Sequence, residues 1–448
     1  MPTESDIPVS KLKRSALTGM TAARVGMKHA GYKARSMLIK PENKQASKLL
    51  HEEQVGDLVF SVLTQLRGTA LKVSQILSME ANILPTPIRE KLKEACYQVP
   101  PINRALVRKQ LVQELGKSPN DLFHQFDSHA FAAASIGQVH RATTYDGADV
   151  AVKIQYPGIA STIESDLKII ETLFSALSRT SDLLPQRNVL SIMMDEMQDR
   201  LREEVNYHVE ADNIKWFKGN VVLAGVTIPS VVDELSSKRV LTLEMLEGLH
   251  VTEWLATSPS QQQRNRVGQQ LFDYFWYCVF DLKRINADLH PGNFLILKDE
   301  NLGALDFGCV RSLDKDFIAA FVNLIPALVE TFHNGRNTEQ LLIVYQSLKV
   351  ISDEMTLEQF ESDVLPSIEP FGRWLCEAYV GDEFDFSLKQ ACPGKPSEDS
   401  RKLVKLLNGF YHEQLCFDRA HLGLMNLLTD IGAVVKTDWV RFCQNKAV

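Results

Sequence analysis

The sequence predicts a two-lobed α+β fold behind a helical N-terminal extension, on three observations. Helical patterning runs from Lys44 to Leu115, strand-like alternation gathers between Leu122 and Met245, and helical patterning dominates again beyond Gly248. The boundaries follow from these shifts: a basic segment over 1–43, a helical extension over 44–120, a strand-rich lobe with inserted helices over 121–247, and a helical lobe over 248–448. At 448 residues the chain has room for two or three domains, or for one large two-lobed unit.

Between Asp6 and Glu42 no acidic residue occurs, while Lys11, Lys13, Arg14, Arg24, Lys28, Lys33, Arg35 and Lys40 interleave with Leu12, Leu17, Met20, Val25, Met27, Met37 and Leu38. Such a segment suits an anionic membrane surface, where each charge contributes about 1 kcal/mol. A solvated basic tail is the plainer alternative, and Gly19, Gly26 and Gly31 weaken any single helix. The extension is punctuated by Pro85, Pro87, Pro100 and Pro101. Gly137–Tyr145 and Asp149–Gln155 alternate around Asp146-Gly147, a hairpin signal. Helical patterns follow over Ile159–Leu177 and Asn188–Phe217, then strand-like runs over Ile228–Val232 and Val240–Met245. In the last lobe one strand-turn-strand is expected around Asn293–Leu305.

Forty-nine Lys and Arg against 56 Asp and Glu leave a net charge of −7, so no basic field exists to make nucleic acid a partner. With 45% hydrophobic and 23% charged residues the composition is globular, which excludes global disorder and a collagen-like fibre. The seven cysteines are scattered and never in a C-x-x-C pair, so neither a zinc site nor a disulfide framework is spelled out, and free thiols in a reducing compartment are expected. No run of about 18 apolar residues is present. The expected location is the cytoplasm, with the basic segment able to bring the chain to the inner face of a membrane.

Four elements in order match what phosphoryl transfer needs: a loop over phosphates, a cation on them, metal-holding oxygens and a polar group near the nucleophile. Asp306-Phe307-Gly308 follows the apolar run Leu302–Leu305, which places a carboxylate at a strand end where Mg²⁺ bridges phosphates. Asp288 precedes Asn293 by five residues, the D-x-x-x-x-N spacing of a catalytic loop, in which the Asp takes a proton and the Asn oxygen takes metal. Val150-Ala151-Val152-Lys153 matches V-A-I-K, whose Lys grips phosphates. Lys153 needs a carboxylate from the helical pattern that follows, and spacing leaves Glu203, Glu204 and Glu210 open. The phosphate-covering loop reads Ala132-Ala133-Ala134-Ser135-Ile136-Gly137, so in a G-x-G-x-x-G register only Gly137 survives. Alanine restricts φ there and adds a methyl, which stiffens the loop.

Together these residues resemble the UbiB/ADCK/AarF atypical kinase-like family, associated with coenzyme Q biosynthesis; Phe131–His140 is similar to its alanine-rich loop and Val152–Gly158 to its lysine strand. The resemblance implies a protein-kinase-like fold that uses ATP and Mg²⁺. It pairs Lys153 with Glu210, makes Asp288 the catalytic-loop acid, and gives Asn293 and Asp306 the metal. It sets Glu244, Met245 and Leu246 as a hinge facing adenine. The family's K-x-G-Q motif reads Lys72-Val73-Ser74-Gln75 here, and its E-x-D motif reads Glu204-Val205-Asn206. With Lys72 and Gln75 in the substrate cleft and Lys72 paired to Glu204, phosphorylation of a protein in trans is disfavoured. The implied function is an ATP-binding, Mg²⁺-dependent ATPase or atypical kinase supporting ubiquinone or lipid metabolism at the membrane surface. Its implied partners are ATP and ADP, an anionic or quinone-type lipid, and ubiquinone-biosynthesis proteins. Two other readings stand beside it. One is a small-molecule phosphotransferase of the aminoglycoside or choline kinase type, although those carry a His two residues before the Asp, where Asn286 stands here. The other is a silent nucleotide-binding scaffold.

Overall fold

The computed structural model describes residues 103–134, 136–157, 201–335, 337–393 and 406–444, with isolated positions at 168, 171, 191, 195, 198 and 199. Lys72 and Gln75, the basic segment and the extension up to residue 102 lie outside the described residues, as does Ser135. Contacts divide the chain into two units: Met1–Gln110 with Ser128–Val139 and Ile154–Val205, and Leu111–Asp127 with His140–Lys153 and Asn206–Val448.

The chain enters through α1 (Arg104–Leu115) and a single turn, Pro119–Leu122, then forms β1 (Gln125–Ala134), β2 (Gly137–Thr143) and β3 (Asp149–Gln155). In the first unit the alanines 132–134 continue β1, and β2 begins at Gly137. There the Tyr156 N–H donates to the Ile136 carbonyl at 2.9 Å.

In the second unit, parts of β1, β2 and β3 line up with β5 in the order β1-β2-β3-β5. Period-two alternation explains β3: Val150 and Val152 are buried on one face, which turns Ala151 and Lys153 to the other. The β2–β3 hairpin turns at Gly147, whose φ of 89° is open to glycine and strained for other residues.

The helical pattern over Asn188–Phe217 is not one helix. Asn206 sits at φ −124° and ψ 91°, ends it, and caps α2 (Tyr207–Asn220) by accepting from the His208 N–H. Next come β4 (Val226–Thr227), β5 (Val240–Glu244), β6 (Gly248–His250), α3 (Val251–Ala256) and α4 (Gln261–Tyr277). The strand expected over Ile228–Val232 is reduced to a bridge between Val231 and Leu243.

More sheet follows than the single strand-turn-strand expected. β7 (Arg284–Asn286) pairs with β10 (Val310–Ser312), and β8 (Phe294–Leu297) with β9 (Leu302–Ala304), in a second sheet of order β4-β9-β8-β6. Three-residue strands are too short to show alternation in sequence. The helices α5 (Lys315–Phe321), α6 (Leu324–Phe332), α7 (Thr338–Ser347) and α8 (Leu365–Cys376) follow, then β11 (Glu383–Asp385), α9 (Gln414–Ile431), β12 (Val434–Lys436) and α10 (Val440–Gln444). β11 pairs antiparallel with β12.

The aromatic run from Phe272 to Tyr277 puts Phe272, Tyr274, Phe275 and Trp276 into the core, against α9 and β12. Buried His421 of α9 lies parallel to Phe275, with ring centroids 5.6 Å apart, and shares a 2.6 Å hydrogen bond with the Tyr379 hydroxyl. Burial, and then the charge of Lys389, push its pKa down to about 3. Cys278, Cys309, Cys376 and Cys392 are free thiols. Among the described residues no helix is long and apolar enough to cross a membrane.

Candidate active site

All the residues in this geometry belong to the second unit. α2 buries a stripe spaced by three and four residues: Tyr207, Glu210, Ala211, Asn213, Ile214 and Phe217. That spacing stacks Glu210, Asn213 and Phe217 along one side of the helix. Lys153 Nζ donates to Glu210 Oε1 and Oε2 at 2.8 and 2.9 Å, and to Asp306 Oδ2 at 3.4 Å. Of the three carboxylates open on spacing, the one that meets Lys153 is thus Glu210. Glu203 and Glu204 precede the break at Asn206 and fall in the other unit. Burial opposes the charge on Lys153, but Asp306 and Glu210 outweigh it and hold its pKa well above the usual lysine value.

One turn on, Asn213 Nδ2 donates to the Phe307 carbonyl at 2.9 Å, and the Phe217 and Phe307 rings lie 4.9 Å apart. One helix therefore holds both the lysine and the middle residue of Asp306-Phe307-Gly308.

Two antiparallel pairings bring the remaining motifs together. In β8–β9, Phe294 faces Ala304, which sets Asn293 beside Leu305; the Leu305 N–H donates to the Asn293 carbonyl at 3.0 Å. In β7–β10, Asn286 faces Val310, and the Ala287 N–H donates to the Cys309 carbonyl at 2.7 Å. The loop 287–293 and the loop 305–309 are thus joined at both ends. Asn286 ties them again: its Nδ2 donates to the Asp306 carbonyl, and its Oδ1 accepts from the Asp288 N–H at 3.0 Å. The Asp288 carbonyl accepts from Asn293 Nδ2 at 2.8 Å and from the His290 N–H at 3.0 Å. No described residue bonds the half-buried Asp288 carboxylate. His290 Nδ1 accepts from the Gly292 N–H within the same loop.

The donor set fits Mg²⁺. Asp306 keeps 34% of its side chain exposed at the strand end, while Oδ1 is oriented by the Gly308 N–H at 2.9 Å. Asn293 uses its amide nitrogen on Asp288, so the oxygen is the atom it offers. Among the described residues no cluster of three or more His, Cys, Asp or Glu could hold a metal. Two oxygens suit an ion that completes its octahedron with phosphates and water.

The Glu244 carboxylate accepts from Ser230 and lies 3.5 Å from Lys218 Nζ, so its side chain is engaged beside β5. The Met245 N–H donates to the Asp149 carbonyl at 3.0 Å, which moors the Glu244–Leu246 segment to the start of β3.

Residues 95–337, more than half of the sequence, match the ABC1 atypical kinase-like domain. The chain belongs to that family. It is 31% identical to the mitochondrial atypical kinase coq-8 of Caenorhabditis elegans over 72% of its own length, and 27% identical to the mitochondrial atypical kinase COQ8 of Saccharomyces cerevisiae over 91%. It spans 43% of the nematode protein and 82% of the yeast protein. A solved structure of Rv3197 from Mycobacterium tuberculosis, in complex with erythromycin, shares the fold at a TM-score of 0.59 and 24% identity, covering 89% of this chain and 97% of that one.

Within this atypical kinase-like family member, Asn213 and Asn286 are site residues that motif reading missed. Asn286 was legible as the residue two before Asp288. Asn213 carries no local signal beyond its place three residues after Glu210.

Proposed function

We propose that this chain binds ATP with Mg²⁺ and directs the γ-phosphoryl group to water or to a small acceptor, as an ATPase or atypical kinase. The single observation carrying this reading is Lys153 bonded at once to Glu210 and Asp306. That contact holds the phosphate-gripping cation and the metal carboxylate together before any ligand arrives. Lys153 grips the α- and β-phosphates, Asp306 and Asn293 offer oxygens to the metal, and Asp288 accepts the proton of the attacking group. When bound, Mg²⁺ neutralises charge on the phosphates. The family resemblance assigns the alanine run 132–134 and Gly137 to the phosphates and Glu244–Leu246 to the adenine. The family resemblance assigns Glu204, with Lys72 and Gln75 outside the described residues, to keeping protein substrates from the cleft.

The names of the relatives and the family resemblance support a role in ubiquinone or lipid metabolism, with the basic segment over 1–43 bringing the chain to an anionic membrane. ATP turnover by the full chain, with and without anionic liposomes, tests this. Turnover that disappears with EDTA and in Asp306→Asn, and that rises with liposomes, is the expected result. Equal turnover in the wild type and Asp306→Asn rejects the site, and indifference to liposomes rejects the membrane role.

A further inference from the structure

Catalytic loops of the H-R-D-L type carry an arginine directly before the aspartate. Here that place is Ala287, yet a guanidinium stands beside it, delivered from α9. Arg419 Nε donates to the Ala287 carbonyl at 2.8 Å, and Nη2 to Cys309 Sγ at 3.1 Å. One helical turn later, Gly423 faces the same loop: a Cβ there would stand 2.8 Å from the Leu289 carbonyl oxygen. α9 therefore touches the catalytic loop on both sides of Asp288, and it touches the other loop three residues past Asp306.

We infer that Arg419 is a positioning residue that fixes the spacing between the Asp288 loop and the Asp306 loop. The inference deepens the proposed function and rests on it for the roles of those two carboxylates. Strand pairing and the Asn286 side chain join the two loops, and Arg419 adds a side-chain clamp at the Ala287–Cys309 pair. A planar guanidinium presents its donors in a rigid fork, so bonds to both loops fix their relative position in a way a flexible ammonium does not. Its acceptors are a carbonyl and a thiol of the chain itself, so the lock stays closed without a phosphoryl group on an activation segment.

Arg419→Met and Arg419→Lys in the full chain test this, by amide hydrogen exchange and by ATP kinetics. In Arg419→Met, exchange at the Ala287 amide and through 306–310 rises about tenfold or more while Leu271–Trp276 of α4 is unchanged. In the same variant kcat falls about 10- to 100-fold and KM for ATP stays within about threefold, because Lys153 and Glu210 are untouched. Arg419→Lys keeps the charge and the carbonyl bond but loses the fork that reaches Cys309, and recovers only a minor part of kcat. Unchanged exchange in both loops overturns the inference, as does an equal rise in α4 or a change confined to KM. Should the wild type show no turnover, the proposed function fails, and loop exchange alone then decides the lock.

Discussion

Asn213 and Phe307, 94 residues apart, share a 2.9 Å hydrogen bond from the Asn213 amide to the Phe307 carbonyl. Asn213 Oδ1 also accepts from Arg284 Nη2 at 2.6 Å, and Arg284 in turn lies over the Trp216 ring. One buried amide thus coordinates α2, β7 and the Asp306 loop. Asn213→Ala leaves a carbonyl and a guanidinium donor unsatisfied, at a cost of about 1–3 kcal/mol. Urea unfolding reads that loss. Turnover is expected to fall further than nucleotide affinity, because Lys153 and Glu210 keep their contact.

Glu210→Gln removes the closer carboxylate from Lys153. The ammonium then turns to Asp306, the carboxylate proposed for the metal, and competes with it. The expected outcome is a rise of about tenfold in half-saturating Mg²⁺ for nucleotide binding, with weaker ATP affinity. A titration of bound nucleotide against Mg²⁺ measures it, and an unchanged midpoint would show that the two carboxylates act independently.

His421 makes the fold acid-sensitive. Its folded-state pKa of about 3 lies below the ordinary 6.5, so the unfolded chain takes up the proton first. The stability contributed is complete above pH 6.5 and is lost as pH falls from there towards 3, at about 1.4 kcal/mol per pH unit. Denaturation midpoints at pH 7, 6 and 5 should decline in the wild type and flatten between 6 and 5 in His421→Gln. Parallel slopes in the two proteins would assign the effect elsewhere.

Gly268 lies where α4 meets the chain leading into β12. A Cβ there would stand 2.4 Å from the Ala433 Cβ and 3.2 Å from Val435 Cγ2. The nearer contact is a methyl fixed to backbone and cannot swing aside, so Gly268→Ala is expected to destabilise by about 1–3 kcal/mol. Equilibrium unfolding in urea checks this, and a neutral result would mean that α4 and β12 separate more easily than their packing suggests.

The motif residues were legible because their spacing is local. Asp288 to Asn293 and Asp306 to Gly308 each lie within one loop, and the β3 alternation is visible in Val150, Val152 and Lys153. What spacing could not choose was the partner of Lys153. That choice depends on where the helix after β3 begins, and Asn206 alone marks the restart. The short strands β7, β10, β11 and β12 were hidden for a different reason: three residues show no period. Asn213 and Arg419 were hidden because their acceptors, Phe307, Ala287 and Cys309, lie 94 to 132 positions away, and nothing in their own neighbourhood announces them.

The support given by α9 has a practical side. The matched domain ends at residue 337, whereas α9 begins at Gln414. A recombinant fragment trimmed to that border would retain Lys153, Glu210, Asp288, Asn293 and Asp306, the side chains on which the proposed phosphate site rests. It would arrive without the beam on which the catalytic loop rests. The smallest piece worth expressing therefore runs past Ile431, well outside the stretch by which its relatives are recognised.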